Sequence, residues 1–116
     1  MAAHKTKLQI DQGATFVKEF IVRDAQQALI DFSGCSAEAQ VRSEIESPVV
    51  LLTMTTANGR ITLGGAAGTV RIDLDALTTD TLPFTEGVFD MEITSPTGGK
   101  TRLMAGTVVV SPAVTR

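Results

Sequence analysis

The 116-residue sequence has no tryptophan, no tyrosine, one cysteine and one histidine. Each shortage removes a class of chemistry. The lone thiol, Cys35, cannot form an internal disulfide, so the fold does not depend on oxidation and synthesis in the cytosol follows naturally. The lone imidazole, His4, stands beside the chain start without a placed partner, a poor setting for a general base. The only aromatics are five scattered phenylalanines, too few for a base-stacking platform. The net charge of −3 argues against a nucleic-acid partner, which calls for a basic surplus or stripe. Long apolar runs are missing too: the longest is about four residues, against roughly 20 for a bilayer-spanning helix. "MAAHKTKLQI" also lacks the apolar stretch of a secretory signal. The reading is a soluble protein, not exported by the general route, with no nucleic-acid and no membrane partner.

What the sequence does have is valine, isoleucine, threonine and glycine, with Gly and Pro recurring at short intervals. That is the composition of short strands joined by tight turns. The length fits one domain, residues 1–116, burying roughly 65% of the surface its unfolded chain exposes.

Periodicity locates the strands. Lys5 to Ile10 forms the first, closed by Gly13, and "TFVKEFIVRD" the second, with Phe16, Phe20 and Val22 on one face. Lys18 falls on that same face, so either its stem snorkels at the rim or a bulge shifts the register. Ala37, Ala39 and Val41 alternate with Glu38, Gln40 and Arg42, the clearest half-buried strand in the chain. Its small alanines predict close approach by an opposing sheet. After Pro48 comes "VVLLTMTT", then Asn58-Gly59, which predicts a hairpin into "ITL". "GGAAG" is a turn rather than a phosphate loop, because a strand follows it and not a helix. "TVRIDL" alternates again, and "DALTTDTLPF" crosses between sheets as a loop or one helical turn. "GVFDMEIT" places Phe89, Met91 and Ile93 inward and Asp90 and Glu92 on a solvated face; "SPTGGK" turns into the final strand, "TRLMAGTVVV". The expected fold is all-β: an immunoglobulin-like antiparallel β-sandwich of about eight strands.

Candidate chemistry is sparse. Asp73, Asp75 and Asp80 have enough oxygen ligands to pinch a cation, but the glycine and spacing of a calcium loop are missing, and solubilising charge at a strand end explains them as well. Cys35 borders a strand without a credible base, as a small buried side chain does. No catalytic residue, metal site or cofactor is assigned, and the chain is read as a non-enzyme.

Two segments are apolar on both faces. In "PVVLLTM", Val49 and Leu51 oppose Val50, Leu52 and Met54; in "LMAGTVVV", Val108 and Val110 oppose Leu103 and Val109. A two-layer sandwich has one core, so such strands either touch something outside it or are reconciled by a register shift or an overlying loop. On the first alternative Val50, Leu52, Met54, Val108 and Val110 form a protein interface, with edge strands, the N-terminal arm and the "SPAVTR" tail as clasps.

Gln12-Gly13, Thr15-Phe16, Ile30 to Gly34, Asn58-Gly59, Gly87 to Ile93 and Gly106 to Arg116 form a running pattern. It resembles the N-terminal β-sandwich domain of phage baseplate upper proteins and related small virion proteins. Phe89 stands where tyrosine is common in that group, which removes a buried hydroxyl. The chain also stops where baseplate upper proteins continue into a receptor-binding-protein adaptor. The resemblance implies a non-enzymatic structural protein of a tailed-phage or prophage virion, in the tail, baseplate, neck or capsid, partnered by copies of itself and other virion proteins. A carbohydrate- or receptor-binding module on the particle surface is the alternative.

Overall fold

The computed structural model describes residues 4–114. Its strands are β1 (His4–Asp11), β2 (Phe16–Ile21), β3 (Ser36–Arg42), β4 (Leu52–Thr55), β5 (Ile61–Leu63), β6 (Thr69–Leu74), β7 (Glu86–Thr94) and β8 (Lys100–Ser111), with one short helix, α1 (Ala76–Asp80). They form a five-stranded sheet in the order β1-β8-β7-β3-β4 and a three-stranded sheet in the order β2-β6-β5. This is an immunoglobulin-like sandwich of variable-type layout, with β4 lying beside β3 on the larger sheet. One pairing departs from the antiparallel expectation: β1 runs parallel to β8, with Leu8 opposite Val108 and Ile10 opposite Val110. The chain can do this because β1 is first in sequence and β8 last, so no tight turn joins them.

The core lies between the sheets and is wholly apolar apart from Thr79, whose hydroxyl donates to the Ala14 carbonyl at 2.8 Å. Ala37, Ala39 and Val41 from β3 and Phe89, Met91 and Ile93 from β7 supply one wall. Val70, Ile72 and Leu74 from β6 supply the other. β3 and β5 approach each other across the core, which the small alanines allow. Immunoglobulin domains often bridge the sheets by a disulfide at this depth; here Met91 fills the position on β7 with hydrocarbon and sulfur, fully buried. No buried side-chain nitrogen or oxygen among the described residues lacks a partner, so Phe89 in place of a tyrosine leaves nothing unpaired.

The structure corrects the interface assignment. Leu52, Met54, Val108 and Val110 are core residues, none more than 7% exposed, and only Val50 reaches solvent. The reason is a β-bulge. Between Met91 and Glu92 the β7–β8 register slips by one residue, so Leu103 has no partner of its own and both Leu103 and Met104 turn inward. The apparent two-faced apolarity of β8 is one buried face that changes phase. In the other segment, β4 begins only at Leu52. Val49 and Val50 belong to the connection over residues 43–51, not to a strand face.

Asn58-Gly59 also differs from expectation. β4 pairs with β3, and β5 pairs with β6, so this turn crosses between sheets instead of closing a hairpin. Only Gly59 takes a positive φ, at 80°, whereas the type I′ hairpin turn that Asn-Gly favours needs both central residues there. The Asn58 carboxamide oxygen accepts from the amides of Thr55 and Arg60, building the turn locally. At Lys18 the β2–β6 register is unbroken, so the stem snorkels and its Nζ sits 5.8 Å from the Phe20 ring centroid. The N-terminal arm and the tail extend past the described residues at 1–3 and 115–116. Within the described part of the tail, the Ala113 amide donates to the Gln12 side chain at 3.1 Å.

Gly106 is sterically required. A Cβ built there would fall inside the Thr6 carbonyl, so any side chain pushes β1 off β8. Gly106→Ala is expected to cost about 1–3 kcal/mol of overpacking strain. Urea denaturation reads the loss, and faster amide exchange along β1 identifies where it falls.

Candidate protein interface

Alternation makes the outer face of the five-stranded sheet as definite as the inner one. Inward Leu8 and Ile10 force Lys5, Lys7 and Gln9 outward on β1. On β7 the outward residues are Glu86, Val88, Asp90, Glu92 and Thr94; on β3 they are Ser36, Glu38, Gln40 and Arg42. On β8 Lys100 and Arg102 lie before the bulge and Ala105, Thr107 and Val109 after it. The register puts Glu92 opposite Arg102, Asp90 opposite Ala105 and Val88 opposite Thr107.

This face carries a groove of about 520 Å³ over β3, β7 and β8. Val88 and Ala105 are half-buried in its floor, and Arg42, Asp90, Glu92 and Arg102 stand around them. Ile45, 86% exposed, forms part of the rim. It belongs to the 43–51 connection, which Arg42 holds down by donating to the Ser47 carbonyl at 2.7 Å and to Gln40 Oε1 at 2.9 Å. That connection also exposes Val49 and Val50. Arg102 Nε lies 3.4 Å from Asp90 Oδ2, but both side chains are well solvated, so the pair contributes little to stability. Glu38 stands directly opposite Glu92, a like-charge neighbour that the isolated sheet gains nothing from.

The structure disperses the other candidates. Asp73 makes a bidentate pair with Arg71, at 2.9 and 3.2 Å. Asp75 caps α1 by accepting from the Thr78 amide at 2.7 Å. Asp80 closes the same helix and lies near Gly13. No group of three potential metal-binding side chains occurs among the described residues. "GGAAG" forms a single 3-10 turn over Gly65–Ala67 and enters β6 directly. Cys35 is half-buried against the core.

Of the five residues assigned from sequence, only Val50 remains at the surface. Sequence reasoning missed Ile45, although its signal is plain in retrospect: a branched apolar residue between Glu44 and Glu46, next to no other apolar side chain. It read Asp90 and Glu92 as ordinary wet-face residues, because nothing in their own strand shows which charges stand on the neighbouring ones.

Comparison with known proteins gives a fold and no family. No protein family matches the chain, and no curated protein does. Among solved structures 125 chains match. One is the extracellular domain of the voltage-gated sodium channel beta4 subunit, at 13% identity and a TM-score of 0.50, covering 98% of this chain and 97% of that one. That domain forms parallel homodimers with a role in cell–cell adhesion. At this identity the likeness establishes the immunoglobulin-like sandwich.

The helix cap yields a pH dependence. The Thr78 hydroxyl and amide, with Arg60 assisting, hold the Asp75 carboxyl below its ordinary value. A folded-state value lower than the unfolded one means the stabilisation is complete above the ordinary carboxylate range, and is lost as pH falls through the depressed folded value. Asp75→Ala should therefore lower the melting temperature at pH 7, and the gap from wild type should close on acidification below about pH 4. A gap that persists there would show that the cap does not act through its charge.

Proposed function

We propose that this chain is a non-enzymatic structural protein of a tailed-phage or prophage virion, acting through contacts with copies of itself and with other virion proteins. The observation that carries the assembly part is the connection over residues 43–51. It holds Ile45 in solvent on the rim of the groove and leaves Val49 and Val50 exposed, while Leu52 and Met54 of the neighbouring strand β4 are buried. Ordinary surface placement costs an isolated domain the burial of these side chains; seating them in another subunit recovers about 25 cal/mol per Å² of apolar surface. The virion part rests on the sequence resemblance, whose turn and core residues occupy turn and core positions in the fold. Gly13, Gly34 and Gly59 all take positive φ, and Phe89, Met91 and Ile93 are buried. That the sodium channel beta4 domain self-associates with the same sandwich makes such use of the scaffold physically reasonable.

A glycan- or receptor-binding module would use the same groove. Sugar sites favour exposed aromatic platforms, and all five phenylalanines here pack against the core.

Light scattering coupled to size exclusion tests the assembly reading. Wild type is expected to run as a dimer or larger, and Ile45→Glu combined with Val49→Glu to weaken the association at least ~10-fold without changing the melting temperature. A monomer that binds glycans on an array would overturn it in favour of the module.

A further inference from the structure

The outer face of the five-stranded sheet is charged in stripes. β7 contributes Glu86, Asp90 and Glu92, all acidic. The two strands beyond it contribute Lys100 and Arg102 on β8 and Lys5 and Lys7 on β1, all basic. Val88 on β7 and Ala105 on β8 interrupt the stripes with half-buried apolar side chains.

Resting on the assembly reading, we propose that this face binds a second copy of the chain, face to face, about a two-fold axis running along the strands between β7 and β8. Such an axis exchanges β7 with the partner's β8. Because Glu92 and Arg102 lie opposite each other in register, each copy's Glu92 then meets the other's Arg102. By the same operation Val88 lies over Thr107 of the second copy and Ala105 over its Asp90, which stays 3.4 Å from its own Arg102, so the Glu92–Arg102 exchange is the contact that specifies the arrangement. On the β3 side, Gln40 comes over Lys5. Arg42 would come over Lys7, but its guanidinium is turned into its own chain by Ser47 and Gln40.

The stripes also exclude the other face-to-face arrangement. An axis lying across the strands would place each β7 on its own copy, acid against acid, and β8 and β1 on theirs, base against base. Like-charge juxtaposition across an interface is a strong negative term. The size is adequate. The four strands that overlap (β1, β8, β7 and β3), about 4.8 Å apart, and a nine-residue β7 rising about 3.4 Å per residue give a face of roughly 600 Å² per partner, at the lower end of the range for specific interfaces.

Charge exchange within one chain tests the arrangement, using sedimentation equilibrium of the full-length protein. Wild type should be dimeric at low salt and should dissociate progressively as ionic strength rises to about 0.5 M, where charges are screened beyond a few Å. Glu92→Lys alone, or Arg102→Glu alone, should raise the dimer Kd at least ~10-fold, because each places like charges together. Both substitutions in one chain restore opposite charges only if β7 faces β8, and the dimer should return to within ~3-fold of wild type. Circular dichroism melts verify folding, since both side chains are exposed. A monomeric wild type, single variants that dimerise like wild type, or a double variant that stays monomeric each overturn the proposal. An oligomer that ignores these charges but is broken by Ile45→Glu would sink this arrangement and leave the assembly reading standing.

Discussion

The register between β7 and β8 is the constraint on which the rest of the molecule depends. These strands form the longest antiparallel pair, and β8 is also the template for β1. A one-residue slip at Leu103 sends two successive apolar side chains inward and resets the phase of everything after it. Without it, Met104, Val108 and Val110 would point to water, and Leu8 and Ile10 of β1 would have no buried partners. The bulge thus decides the composition of both faces at once. It fills the core from one strand and clears the outer face of all but Ala105, Thr107 and Val109 beyond the bulge.

The absence of a cross-sheet disulfide makes that packing more consequential. Nothing covalent holds the sheets together, so the core residues of β3, β6, β7 and β8 provide the cohesion. Polar demands are met locally and at the rim: Asp75 caps α1, Asn58 builds its own turn, and Asp24 accepts the amides of Gln26 and Ala28.

The strands themselves were legible because their period is visible one residue at a time. Ala37-Ala39-Val41 and Phe89-Met91-Ile93 alternate without interruption, and the structure buries each of them. The turns at Gly13 and residues 95–99 were legible because glycine marks positive φ. The failures share a cause. Asn58-Gly59 reads as a hairpin only if the flanking strands pair with each other, and they belong to different sheets. Val108 and Val110 look like surplus hydrophobic surface only if β8 keeps one phase throughout.

By itself, the sequence determined the fold class, the approximate number of strands and the inward face of the strands that alternate cleanly, β3, β6 and β7, since all three follow from local alternation and turn chemistry. Tertiary structure alone decided the parallel seat of β1, the phase of β8 beyond its bulge, and the collection of Glu92, Asp90, Arg102 and Lys5 on one surface. Those depend on which strand lies beside which, and charges brought together across 85 residues of chain leave no mark in either segment.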